Sequence, residues 1–245
     1  LKRRLIILSF FVLLSSFVFA QREIPKFKPE YEMKRRLHFG FTLGVNTAGF
    51  NIHRNNTAMG LYADMPKLSA GFHVGIVSDL RLFRNLNLRF LPTVTFVQRH
   101  LAYYNKKNEI YKNDVNGVYA NMSFESTFLE FPLLLKFKAK RINNHTVYVV
   151  GGPVFSVDLA AYKKLNRDDG IYVRLESMDF GYEIGVGYDR FLPFFKLSTE
   201  LKFYSGFSNM LSPDAIKDTD IDTQMFIDSI EKITSYGFKL SFHFE

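Results

Sequence analysis

From Leu37 onward the chain repeatedly sets apolar and polar residues in alternation. Successive side chains of a strand point to opposite faces, so a period of two predicts two-faced strands. The clearest run places Met178, Phe180, Tyr182, Ile184, Val186 and Tyr188 on one face. Asp179, Gly181, Glu183, Gly185, Gly187 and Asp189 fall on the other. The same alternation recurs at 37–46, 70–76, 86–97, 129–138, 195–203 and 235–244, and more faintly at 147–159, which makes eight predicted strands. A soluble sandwich also alternates, but its outward face is polar. Here the apolar face is rich in Phe and Leu, while the other is charged or small, which suits a narrow interior where bulk is rationed.

The connections add a second pattern. They run long (49–68), short (80–85), long (100–124), short (139–145), long (161–176), short (191–194) and long (206–233). An even strand number with that rhythm predicts an eight-stranded antiparallel transmembrane β-barrel, with short periplasmic turns and long external loops. Composition agrees: of 245 residues, 27 are Phe and 13 are Tyr, and there is no Cys. Aromatic residues favour strands and the interfacial girdles of such a wall. The missing cysteines exclude disulfides, thiolate metal sites and thiol nucleophiles.

The first twenty residues read differently. Lys2, Arg3 and Arg4 precede an apolar run over 5–19, and Val18, Phe19 and Ala20 resemble a cleavage site before Gln21. This is the pattern of a Sec signal peptide. The expected organisation is a signal peptide at 1–20, a periplasmic N-terminal segment at 21–36 and a barrel domain at 37–245, located in the cell outer membrane. Formal net charge is +8, of which +5 remains without the three N-terminal cations. The basic residues are scattered among acids, so nucleic acid is not an expected partner.

Chemical motifs are sparse: there is no Walker A loop, no dinucleotide fingerprint and no HExxH. The inward face carries Arg89, Asp179, Glu183, Asp189, Lys196, Lys202 and Lys239, which are expected to form a lumen charge network. An eight-stranded barrel is only wide enough for side chains, and unpaired charges there are costly, so a charge-paired filling is favoured over an ion path. Ser241 and His243 share a face two residues apart, a spacing too wide for a direct nucleophile–base bond. Asp214, Asp218, Asp220, Asp222 and Asp228 lack the EF-hand spacing, and the stretch 223–232 is compatible with a short helix. No catalytic residue, metal ligand or cofactor is expected, and the chain is not expected to be an enzyme.

Two segments carry a resemblance: Glu125 to Lys136, with Leu129, Glu130, Phe131 and Pro132 at its centre, and Gly151, Gly152 and Pro153 through Ala160. With the turn from Lys138 to Arg141, they resemble the PorT/SprT family of Bacteroidota outer-membrane β-barrels. The resemblance implies a non-enzymatic component of type IX protein secretion, with a link to gliding motility. It acts by assembling or docking other type IX subunits, and it meets outer-membrane lipid and lipopolysaccharide. Pro132 lacks an N–H, so it is expected at a bulge or irregularity, next to a bend or bulge at Gly151–Gly152–Pro153 in the facing strand. The alternatives are a generic small barrel with an envelope-structural or ligand-binding role and, third, a lipid-modifying hydrolase using Ser241 and His243.

Overall fold

The structure is a computed structural model that describes residues 26–27, 35–54, 61–65, 68–105, 118–161, 175–211 and 229–245. The expected signal peptide, most of the 21–36 segment and the Asp214–Asp228 loop lie outside the described residues. Ten strand segments form one sheet: β1 (Leu37–Arg54), β2 (Leu61–Asp64), β3 (Ser69–Arg81), β4 (Leu86–Phe90), β5 (Thr93–Asn105), β6 (Val118–Lys138), β7 (His145–Asp158), β8 (Met178–Phe191), β9 (Lys196–Gly206) and β10 (Ile230–Phe244). All pairings are antiparallel, and β1 pairs with both β3 and β10, so the sheet closes on itself.

Ten segments make eight strands. β4 and β5 both pair with β3 and with β6, and on each side the register is the same across the break between them. The break falls at Leu91–Pro92, where proline has no N–H to give the ladder. The carbonyl of Pro92 still accepts from the Ile76 amide at 3.0 Å. β2 pairs with the far end of β5 and continues the course of β3. Several strands exceed the nine to eleven residues that roughly span a bilayer. β1, β6 and β10 begin or end well inside the expected long loops, and residues 230–232 of the expected helix are strand.

The wall is inside-out relative to a soluble protein. Phe39, Phe41, Val45, Ile76, Phe137, Val149, Ile184 and Val186 stand exposed on the outer surface. Asp79, Arg89, Lys136, Glu183, Asp189 and Glu200 are buried inside. So large a contiguous apolar surface requires a nonpolar solvent around it. Outward phenyl rings reinforce the seams: Phe41 stacks on Phe244 and Phe72 on Phe96, each at 4.8 Å between centroids.

The β6–β7 pairing is interrupted at Leu133–Leu134, opposite Gly152–Pro153, but no bulge forms. Phe131 and Pro132 face Phe155 and Val154, and Leu135 faces Gly151, in the same register on both sides of the proline. Pro132 and the glycine–proline run are neighbours, but no residue is inserted. The strands stay in step because Gly152 has no side chain: a Cβ there would lie 2.2 Å from the Leu133 carbonyl oxygen.

Candidate functional site

The lumen is filled in layers. At the long-loop end an apolar plug contains Phe50, Leu101, Tyr103, Phe124, Met210 and Ile233. Below it the buried Arg99 guanidinium donates to Asp158 at 2.8 Å and to the Ser126 hydroxyl at 2.7 Å, between the rings of Phe50 and Phe128. Next comes a cavity of about 30 Å³, whose wall includes Asn46, Thr95, Asp179, Tyr204 and Lys239. That is room for a water molecule or two, not for a ligand.

The middle of the barrel is a continuous chain of ion pairs. Lys239 bonds Glu130 at 2.7 Å and Glu183 at 2.6 Å. Lys202 bonds Glu183 at 3.0 Å and lies 3.6 Å from Glu200. Arg89 joins Glu200 at 3.0 Å, Asp79 at 2.9 Å and Glu245 at 3.1 Å, and Lys196 holds Glu245 at 2.7 Å. Lys136 pairs with Asp189 at 2.8 Å and lies 3.7 Å from the centre of the Tyr148 ring, whose hydroxyl donates to Glu200. Val77, Leu91, Leu134 and Val150 pack with Tyr148 as an apolar patch within this charged filling. Each charge meets an opposite charge from another strand, as a narrow and dry interior demands.

The structure thus brings together Arg89, Glu183, Lys196, Lys202 and Lys239 through shared carboxylates, and pairs Asp189 with Lys136. Asp179 stands apart: it accepts from the Tyr204 hydroxyl at 2.7 Å, toward the Arg99 layer. Asp79, Lys136, Glu130, Glu200, Glu245, Arg99 and Asp158 complete the filling. Of these, the sequence marks only Glu130 and Lys136, as part of the segment that carries the family resemblance. Glu130 also accepts from Thr93 and Thr95, so the motif's inward charges hold the interior together. Its Phe131 and Pro153 face outward, as Glu125 does further up the strand.

Ser241 does not meet His243. Its hydroxyl lies 2.9 Å from His73 Nε2, reached across β1 where Gly44 leaves room. His243 turns instead to Glu200, at 3.4 Å. Ser241, His73 and His243 are each no more than 2% exposed, so a lipid ester has no route to them. Among the described residues no cluster of three or more His, Asp or Glu is placed to hold a metal ion.

The short-turn end is different in character. Above a throat of about 10 Å³, an open cleft of about 1010 Å³ is lined by Arg36, Arg81, Arg84, Lys138, Lys140 and Arg141, with Lys26 beside them.

A family model described as outer membrane protein beta-barrel domain matches residues 19–212. No curated protein matches the chain. Solved structures similar to it include Neisserial surface protein A, at 9% identity over 85% of this chain and 98% of that one, with a TM-score of 0.40. Ail, the attachment invasion locus protein of Yersinia pestis, is similar at 8% identity over 86% and 99%, TM-score 0.38. The outer membrane protein OprG from Pseudomonas aeruginosa is similar at 11% identity over 85% and 93%, TM-score 0.41.

Proposed function

The chain belongs to the outer membrane protein beta-barrel domain family, and from that premise we propose that it acts through its rims, as a non-conducting and non-enzymatic docking or envelope-structural barrel. The single observation that carries this reading is the filled lumen: an apolar plug seals one end, and ion pairs occupy the middle. Eight strands leave room for side chains and little else. The burial of Ser241 and His243 supports the non-enzymatic part. Purified barrel in planar bilayers is expected to give no conductance above that of lipid alone. Steady channel steps from the folded protein would overturn the reading.

A second reading rests on the two segments that resemble the PorT/SprT family. On it, the signal peptide at 1–20 directs export, the outer wall meets lipid and lipopolysaccharide, and the partners docked are other type IX secretion subunits. A barrel with a filled lumen then serves assembly and is not the conduit. Deletion of the gene, followed by proteomics of medium and periplasm, is expected to strand cargo bearing C-terminal sorting domains in the periplasm. An unchanged secretome would dismiss the type IX assignment and leave the docking barrel untouched.

A further inference from the structure

The short turns lie on one end of the barrel, which outer-membrane topology places in the periplasm. On the lipid face just above them the wall is apolar almost all the way round. Strand parity points Leu37, Leu80, Leu86, Phe137, Leu197 and Phe244 outward there. Arg190 interrupts that ring. It is the last residue but one of β8, shares the outward parity of Val186 and Tyr188, and is exposed. Among the described strand residues it is the one charged side chain on the outward face at this end. Its guanidinium makes no ion pair or hydrogen bond with the described residues. A charge on the lipid face is costly at the bilayer midplane and tolerated near an interface, where headgroups can meet it.

Two more polar side chains stand beside it. The β7–β8 register sets His145 directly opposite Arg190 and Val147 opposite Tyr188. Residues so paired have Cβ atoms about 5 Å apart. The Tyr188 ring stacks on the His145 ring at 5.5 Å between centroids, 18° from parallel, and its hydroxyl is hydrogen-bonded to His145 Nδ1. With the hydroxyl as donor, the neutral imidazole carries its proton on Nε2, for which no described residue is an acceptor.

The frame beneath them is tied. Ile142 and His145 exchange both backbone hydrogen bonds at 3.0 Å, closing a two-residue turn in which Asn143 takes the positive φ, 53°, that such turns require. The Phe191 amide donates to the Asn144 carbonyl at 2.8 Å, which fixes the end of β8 to that turn. The donors are therefore held in place before any ligand arrives, which lowers the ordering cost of binding.

A guanidinium fork and an imidazole N–H offer donors and positive charge, the chemistry that recognises phosphate oxygens. The site opens sideways into the bilayer and not downward into the periplasm, so its ligand belongs to the leaflet. That leaflet is the phospholipid one, since the long loops mark the opposite face as external. Val147, Val186 and Leu197 adjoin the site on the same face, an apolar surface for acyl chains.

We propose that Arg190 and His145, with the imidazole positioned by Tyr188, seat the headgroup phosphate of one anionic phospholipid of the inner leaflet. The inference rests on the barrel's place in the outer membrane and does not depend on the type IX assignment.

The test uses the full-length barrel in detergent micelles, its folding checked by heat-dependent gel migration. Phosphatidylglycerol or phosphatidylcholine is titrated in, and bound lipid is counted by native mass spectrometry. Wild type is expected to retain one phosphatidylglycerol at concentrations where phosphatidylcholine is shed. Arg190→Gln is expected to weaken that retention about tenfold, as the loss of a charged hydrogen-bond donor does. Arg190→Lys keeps the charge without the fork, and His145→Phe keeps the ring without its N–H, so each is expected to fall between. Lys232→Gln removes an outward cation near the other end of the wall and is expected to leave retention unchanged. Equal retention of the two lipids overturns the proposal. So does undiminished retention in folded Arg190→Gln, or in His145→Phe if Arg190→Gln does not fold. An equal loss in Lys232→Gln overturns it as well, because Arg190 is then a snorkelling anchor drawn to any anionic surface.

Discussion

Replacing Arg89 by methionine is expected to destabilise the barrel by about 3–5 kcal/mol, the range for breaking a buried ion pair from one side. Arg89 is fully buried and holds three carboxylates at once: Asp79 at 2.9 Å, Glu200 at 3.0 Å and Glu245 at 3.1 Å. Its removal does not delete an interaction so much as strand three acids in a space that excludes water. Partial compensation remains, since Asn87 still donates to Asp79, Lys196 still holds Glu245 and Lys202 lies 3.6 Å from Glu200. Arg89→Lys keeps the charge but loses the planar fork that reaches three partners, so its loss is expected to be smaller. Urea unfolding in lipid vesicles measures both. Adding Asp79→Asn to Arg89→Met should recover part of the loss, because the double mutant strands one charge fewer. A single-mutant loss under about 1 kcal/mol, with no recovery in the double, would mean that the ion-pair chain does not hold the lumen together.

Much of this architecture was legible because lipid and lumen impose opposite demands on alternate residues. Met178 to Asp189 reads directly as a wall, and its register with β7 and β9 is what that alternation requires. The gaps have physical causes. Asp79 lies beyond the alternation of 70–76, because the inward series Gly75, Val77, Asp79 is interrupted by an apolar residue that belongs to the patch around Tyr148. Arg99 and Asp158 lie at or just past the ends of the predicted strands at 86–97 and 147–159, so they read as loop or strand end. Glu245 lies past the last predicted strand at 235–244, yet its side chain is buried between Arg89 and Lys196. Pairing partners were out of reach in principle. Parity says which residues face inward, but not which height each reaches, and height puts Asp179 beside Tyr204 and not beside the lysines. Pro132 sits beside an interruption of the ladder, the irregularity its missing N–H predicts, and the close approach at Gly152 lets the register continue on both sides of it.

That same use of glycine leads to the other large effect. Gly44→Val is expected to cost roughly 2–4 kcal/mol, from overpacking combined with a broken buried hydrogen bond. Gly44 faces the lumen on β1, the strand that closes the barrel between β3 and β10. A Cβ there would lie 2.1 Å from the Leu240 carbonyl oxygen and 2.6 Å from the His73 ring. The carbonyl belongs to the β1–β10 ladder and cannot rotate away without opening the closing seam. The His73 ring could move, but only by leaving Ser241. Gly151 supplies the control. It lies on the outer face of β7, and a Cβ there meets nothing nearer than 3.6 Å, so Gly151→Ala is expected to change stability by less than about 0.5 kcal/mol. Unfolding of the two variants side by side in the same vesicles separates a requirement for space from a general intolerance of side chains at glycine. If both are equally destabilised, the strands are intolerant of any side chain at glycine; if Gly44→Val alone fails, the closing seam depends on an empty position that lets His73 reach across it.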